Sequence, residues 1–196
     1  MYNVIKHISY RKGEVITMKK NGIESQTLKN IAFTAVCIAL CIILPQAFHL
    51  IPNGGKIFSP MHIPILICGL ACAWQYGLIC ALSGVLLSSL LTSMPTVPQL
   101  PSMMTECAVY AVSAALLIHF LRKGRRFSGI YISLVGAMIA GRLAGGIVKA
   151  FILGNEYNLH LWVSGYFIKA FPAIIIHLLL IPPIVRALAK SGFIKE

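Results

Sequence analysis

The sequence predicts an all-α integral membrane bundle of six transmembrane helices with both termini in the cytoplasm. Two compositional facts and one pattern predict it. Of 196 residues, 58% are hydrophobic, only 11% are charged and the mean hydropathy is +0.82, a surplus of apolar surface too large for one water-soluble core. A hydrocarbon layer of about 30 Å takes about 20 apolar residues per helix, so the chain has room for about six crossings and little else. The pattern is in the charges. The net charge of +12 would point to nucleic acid in a soluble protein, but here the cations gather between apolar runs with no aromatic-interleaved basic face.

The first run is Ile31 to Ile51, closed by the turn-forming Pro52-Asn53-Gly54-Gly55. From Ile63 to Leu91 the chain is nearly all apolar, long enough for one steep helix or two short ones. Trp74-Gln75-Tyr76-Gly77 interrupts it, and parity selects two helices: with a single helix, Arg122, Lys123, Arg125 and Arg126 would fall outside, against the positive-inside bias. The remaining spans are Met103 to Leu121, Ser128 to Leu153, and Val163 to Leu188, where Pro172 and Pro182-Pro183 predict kinks. On this topology thirteen of the seventeen Lys and Arg are cytoplasmic, one, Lys56, is in an outer loop, and three lie inside spans. The outer loops are Pro52 to Pro60, Met94 to Ser102 and Gly154 to Leu161, of which the second is proline-rich and stiff.

Residues 1–28 read as a cytoplasmic segment, 29–190 as the membrane domain and 191–196 as a cytoplasmic tail. Met1 to Asn30 has no apolar signal-peptide core. Arg11-Lys12-Gly13-Glu14, read as codons, resembles a ribosome-binding site ahead of Met18, which is the expected natural start. The six cysteines, Cys37, Cys41, Cys68, Cys72, Cys80 and Cys107, all lie in apolar segments. No His joins them at ligand spacing, so they read as small packing residues and neither as disulfides nor as a metal site. No internal repeat is evident, and no G-x-x-x-x-G-K-[ST] phosphate loop, so the chain does not use ATP by that route. Nor is there an H-E-x-x-H, a G-x-S-x-G or a pair of carboxylates within the spans, and no catalytic residue or cofactor is expected.

An ionisable group inside a span is costly and so a functional candidate. Glu106 stands near the outer end of the fourth span, Arg142 near the middle of the fifth, Lys149 seven residues further on, and Lys169 at the start of the sixth. Arg142 and Lys149 share a helix face, with Gly145 and Gly146 between them allowing close approach. One reading makes Glu106 a structural bridge to Arg142 or Lys169 while Lys149 snorkels to the interface. The other counts three cations against one carboxylate and predicts a positive pocket for a ligand with a carboxylate or other anionic group. Tyr110 follows Glu106 by one turn and offers a ring and a hydroxyl. His62 stands where the first outer loop enters the second span, as a structural hydrogen-bonding group or a ligand contact.

Three segments carry a family resemblance: Ser59-Pro60-Met61-His62-Ile63-Pro64-Ile65-Leu66-Ile67-Cys68-Gly69, Met94-Pro95, and Met104-Thr105-Glu106-Cys107-Ala108-Val109-Tyr110. Over about residues 28–190 the chain resembles the substrate-binding S components of energy-coupling factor (ECF) transporters, the vitamin importers of bacteria. The resemblance implies a six-helix bundle in the bacterial cell membrane, an outward-facing pocket for a vitamin or vitamin precursor, a membrane coupling (T) subunit and two ATPase subunits. It also implies that the A-x-x-x-A pattern at Ala35 and Ala39 contacts the coupling subunit. Pantothenate-like acids, cobalamin precursors, folate and pyridoxine-like rings all stay open as ligands. The alternative from another class is a small membrane enzyme or structural membrane subunit with no transport role.

Overall fold

The computed structural model describes residues 26–48, 57–121, 127–154 and 158–193, all helices, turns and short connections with no strand among them. Helix α1 (Gln26–Ala47) is followed by α2 (His62–Ala71), α3 (Trp74–Thr92), a 3-10 turn (Val97–Gln99), α4 (Leu100–Phe120) and α5 (Phe127–Leu153). A short α6 (Leu159–Val163) runs through a π-helical stretch (Ser164–Ile168) and a break at Lys169-Ala170 into α7 (Phe171–Lys190).

Among the described residues five helical stretches are long and apolar enough to cross a membrane: α1, α3, α4 with its preceding turn, α5, and the α6–α7 composite. The second predicted span is shorter than expected. At ten residues, α2 is about 15 Å long, half the hydrocarbon thickness. Every residue of α2 except Ile63 is buried, so it is a core element wrapped by longer helices.

The break between α2 and α3 also falls earlier than the sequence predicts. It lies at Cys72 and Ala73, both extended, while Trp74-Gln75-Tyr76-Gly77 forms the first turn of α3. Packing explains the position: a Cβ on Gly77 would sit 3.1 Å from the Gly69 Cα, so the hairpin closes glycine against glycine and only a tight two-residue link fits between. Trp74, 45% exposed, starts the new helix with its ring directed away from the bundle. Pro172 stands in the first turn of α7, where its missing N–H costs nothing, and α7 continues through Pro182-Pro183; the interruption of the last span lies at Lys169-Ala170.

Successive helices alternate in direction. Thr34 meets Cys68 and Cys41 meets Met61, so α2 runs against α1; Gly84 packs on Cys41, so α3 runs with α1. Gly136 faces Leu117 and Gly145 faces Glu106, so α5 runs against α4, and Arg186 stacks on Phe127 at 4.7 Å, so α7 runs against α5. The two ends of the described chain come together: Gln26 Nε2 donates to the Phe193 carbonyl at 3.4 Å, and the Phe33 and Phe193 rings are 5.0 Å apart. Both ends therefore lie at the same end of the bundle, as an even number of alternating helices, and so an odd number of reversals, requires. The Arg122 to Arg126 cluster and most of the loop Pro52 to Pro60 fall outside the described residues.

Candidate functional site

The polar residues of the spans converge at one place, where α2, α4, α5 and α7 meet. Glu106 and Tyr110 stand one turn apart on α4, a spacing that puts both side chains on one face. The Tyr110 hydroxyl donates to Glu106 Oε1 at 2.6 Å and accepts from Arg142 Nε of α5 at 3.2 Å. Glu106 and Arg142 thus communicate through a phenol rather than by the direct bridge that one sequence reading expects. His62 Nε2 stands 3.9 Å from Glu106 Oε1, an ion-pair contact too long for a hydrogen bond. Glu106, Tyr110, Arg142 and His62 are all buried.

Three glycines of α5 make the room. A Cβ on Gly141 would strike the Tyr110 ring, one on Gly145 would lie 2.9 Å from the Glu106 Cβ, and one on Gly146 would strike the Trp162 indole. The sequence places Gly145 and Gly146 correctly as points of close approach, and what approaches is a set of large polar and aromatic side chains. Trp162 Nε1 donates to the Arg142 carbonyl at 3.3 Å, and its ring meets Phe167 edge-on at 5.4 Å. The Arg142 guanidinium lies 5.6 Å from the Phe167 ring centre, a cation–π contact that leaves its outer N–H groups without a carboxylate within 4 Å among the described residues.

Lys149 is half-buried two turns further along α5, with Nζ 5.9 Å from the Tyr166 ring centre. Lys169 goes elsewhere: it is exposed, at the end of the π-helical stretch, and does not join the cluster. The sequence groups the two lysines because both lie inside predicted spans, but after the π turn position 169 is exposed.

His62 opens α2, its Nδ1 3.2 Å from the Ser59 carbonyl and its ring 5.2 Å edge-on to Tyr110. Behind it stands His177 of α7, 2% exposed, with ring centres 6.1 Å apart. Both ring nitrogens of His177 lack a hydrogen-bond partner, the Ser59 carbonyl lying toward it but outside bonding geometry. Sequence reasoning missed His177 along with Trp162, Tyr166 and Phe167. The signal for His177 was present: a lone ionisable ring within Phe171 to Pro182 meets the criterion applied to Glu106 and Arg142. The three aromatics had no such signal, because only the packing of the π turn directs them inward.

Ala35 and Ala39 lie on the outer surface of α1, both exposed, while Thr34, Cys37 and Cys41 face the core. This division of α1 leaves a stripe of small and aliphatic residues exposed among the described residues.

The fold is that of a multi-pass helical membrane protein with a charged, hydrogen-bonded cluster buried inside its bundle, and membrane transport is its class. A family model for the substrate-specific component of ECF transporters matches residues 29–185. The chain belongs to that family. No curated protein and no solved structure matches it.

Proposed function

We propose that the protein is the substrate-binding subunit of an ECF importer that captures a vitamin or vitamin precursor from outside the cell. The buried cluster is its ligand site. The ligand is held at the convergence of α2, α4, α5 and α7, and a T subunit with two ATPases then drives its delivery across the bacterial cell membrane, with both chain ends in the cytoplasm. One observation carries the assignment of the site: Arg142, buried in the bundle, has its Nε on Tyr110 and no carboxylate within 4 Å among the described residues. A desolvated guanidinium with spare donors is stabilised by an anionic ligand group, and Lys149 adds to the positive field. Glu106, Tyr110, His62 and His177 orient the rest of the molecule.

The exposed Ala35–Ala39 stripe on α1 supports a contact with the coupling subunit, because small residues let another helix approach closely.

Calorimetry on the purified subunit without nucleotide tests the reading. Sub-micromolar binding of a vitamin-class molecule is expected, weakened about 30-fold or more in Arg142→Ala. A screen across vitamins and precursors that finds no binder overturns it. Ala35→Trp and Ala39→Trp are expected to abolish uptake in cells while leaving binding by the isolated subunit unchanged. Normal transport in both variants removes α1 as the partner face.

A further inference from the structure

The hydrogen-bonding polarity at the histidine end of the cluster narrows the ligand further, resting on the reading of this cluster as the ligand site. His62 Nδ1 faces the Ser59 carbonyl at 3.2 Å. A carbonyl oxygen only accepts, so Nδ1 carries the ring proton and, in the neutral ring, Nε2 is a bare acceptor. That nitrogen is buried without a hydrogen-bond partner. It lies 3.9 Å from Glu106 Oε1, which already accepts the Tyr110 proton. Two acceptors face each other with no proton between them, at a separation that a single donor atom within hydrogen-bond reach of both can bridge. His177 of α7, its two ring nitrogens also unpartnered, packs edge-on to the His62 ring with centres 6.1 Å apart.

Unsatisfied buried acceptors are costly, and two sharing one space call for a group with at least two polar hydrogens. We infer that the ligand presents an amino or ammonium group to His62 Nε2 and Glu106 Oε1, while its anionic or acceptor end meets Arg142. Recognition is then bipolar: donor groups of the protein at α5, acceptors at α2 and α4. A ligand carrying carboxylates alone satisfies Arg142 and leaves the histidine end unmatched, and an amine alone does the reverse.

Two measurements test this. Ring-nitrogen NMR of histidine-labelled protein in nanodiscs, with the His62 signals assigned by their loss in His62→Gln, is expected to show a neutral ring protonated at Nδ1. A doubly protonated His62, or one protonated only at Nε2, overturns the inference, since Nε2 then faces Glu106 with a proton of its own and is no longer an acceptor. In the second, molecules released from the purified protein are identified by mass spectrometry, and thermal shift is measured with 4-aminobenzoate against benzoate and 4-aminopyrimidine against pyrimidine. An amino-bearing released molecule, or stabilisation at least about tenfold more sensitive to the amino member of a pair, supports the inference. A released molecule without an amino group, or equal responses within both pairs, overturns the inference and leaves the binding-subunit reading standing. Protein that releases nothing, responds to no probe and binds nothing in the vitamin screen overturns both.

Discussion

Glu106 and Cys107 are neighbours on α4, yet they face two different interiors. Cys107 points into a core built by α1, α2, α3 and α4 in which all six cysteines are buried, free and packed together with Met61, Ile65 and Val85. That core is hydrophobic, and its thiols find weak partners nearby: Cys41 Sγ reaches the Met61 carbonyl and Cys68 Sγ the Thr34 hydroxyl, each at 3.8 Å. Glu106 points the other way, toward Tyr110, Arg142 and the two histidines. Both interiors depend on glycine, but for different approaches. Gly69 and Gly77 bring backbones together, Gly69 against the Ala111 carbonyl and Gly77 against Gly69, whereas Gly141 and Gly146 admit the rings of Tyr110 and Trp162. Glycine between backbones makes a rigid scaffold. Glycine beneath rings makes room for side chains that do chemistry.

The largest effect should come from filling a scaffold glycine. A Cβ on Gly69 lies 2.7 Å from the Ala111 carbonyl oxygen and 3.0 Å from its Cα, and neither atom moves without displacing α4. Gly69→Ala is expected to cost about 3 kcal/mol or more, at the upper end for overpacking, and to reduce the yield of monodisperse protein in detergent. Gly141→Ala meets the buried Tyr110 ring and, at 2.9 Å, the Glu106 backbone carbonyl, so its expected cost is also about 3 kcal/mol, with ligand binding lost as well. Thermal unfolding and calorimetry on the two variants separate these outcomes. Wild-type stability in Gly69→Ala would remove the scaffold from the comparison.

Next in size are changes that break the Glu106–Tyr110–Arg142 chain. Arg142→Gln leaves a buried carboxylate without its linked cation, and Tyr110→Phe removes the hydroxyl joining them. Each is expected to lower stability by about 1–3 kcal/mol. The double change Glu106→Gln with Arg142→Gln should recover much of what Arg142→Gln loses, since no net charge is then stranded. Ligand affinity in that double variant, on protein shown to be folded, distinguishes site from scaffold. Affinity that is retained means the charges serve only packing, and the contrast between the two interiors collapses.

The sequence carried the class of fold through composition and charge placement, and it located Glu106, Tyr110, Arg142 and His62 because polar groups in apolar runs stand out. It misplaced the α2–α3 break, since Trp, Gln and Tyr before a glycine look like an interface while the actual constraint was the contact of Gly77 with Gly69, eight residues apart and invisible to any window of hydropathy. The half-length of α2 was hidden for the same reason: a buried core helix and a lipid-facing span are equally apolar. Lys169 stands out in the sequence as an ionisable group inside a predicted span, and the π-helical stretch that precedes it leaves it exposed. Contacts made across turns of irregular pitch, such as Trp162 on Gly146, follow only from the folded chain.

A smaller effect belongs to the thiol core. Cys107→Ala removes one buried sulfur and should cost about 1 kcal/mol, whereas Cys107→Ser places a hydroxyl among apolar neighbours and should cost about 1–3 kcal/mol. Neither should change ligand affinity, measured by calorimetry, although Glu106 is the adjacent residue. A loss of affinity in Cys107→Ala would show that the two faces of α4 are not independent.

The smallest effect expected is at Lys169, and it sharpens the comparison by its contrast with Lys149. Lys149 is half-buried over Tyr166 and within electrostatic range of Glu106. Lys169 is exposed on the far side of the π turn. Counted by formal charge the two lysines contribute equally to a positive pocket; counted by position only Lys149 does, because exposed charges beyond about 8–10 Å are screened at physiological ionic strength. Lys169→Gln should therefore leave both thermal stability and ligand affinity within about 0.5 kcal/mol of the parent. Lys149→Gln should weaken an anionic ligand measurably, and by less at high salt. Titrations of both variants at two salt concentrations read the difference directly. An equal loss in the two would mean that the whole outer field, rather than the buried cluster at α4 and α5, attracts the ligand.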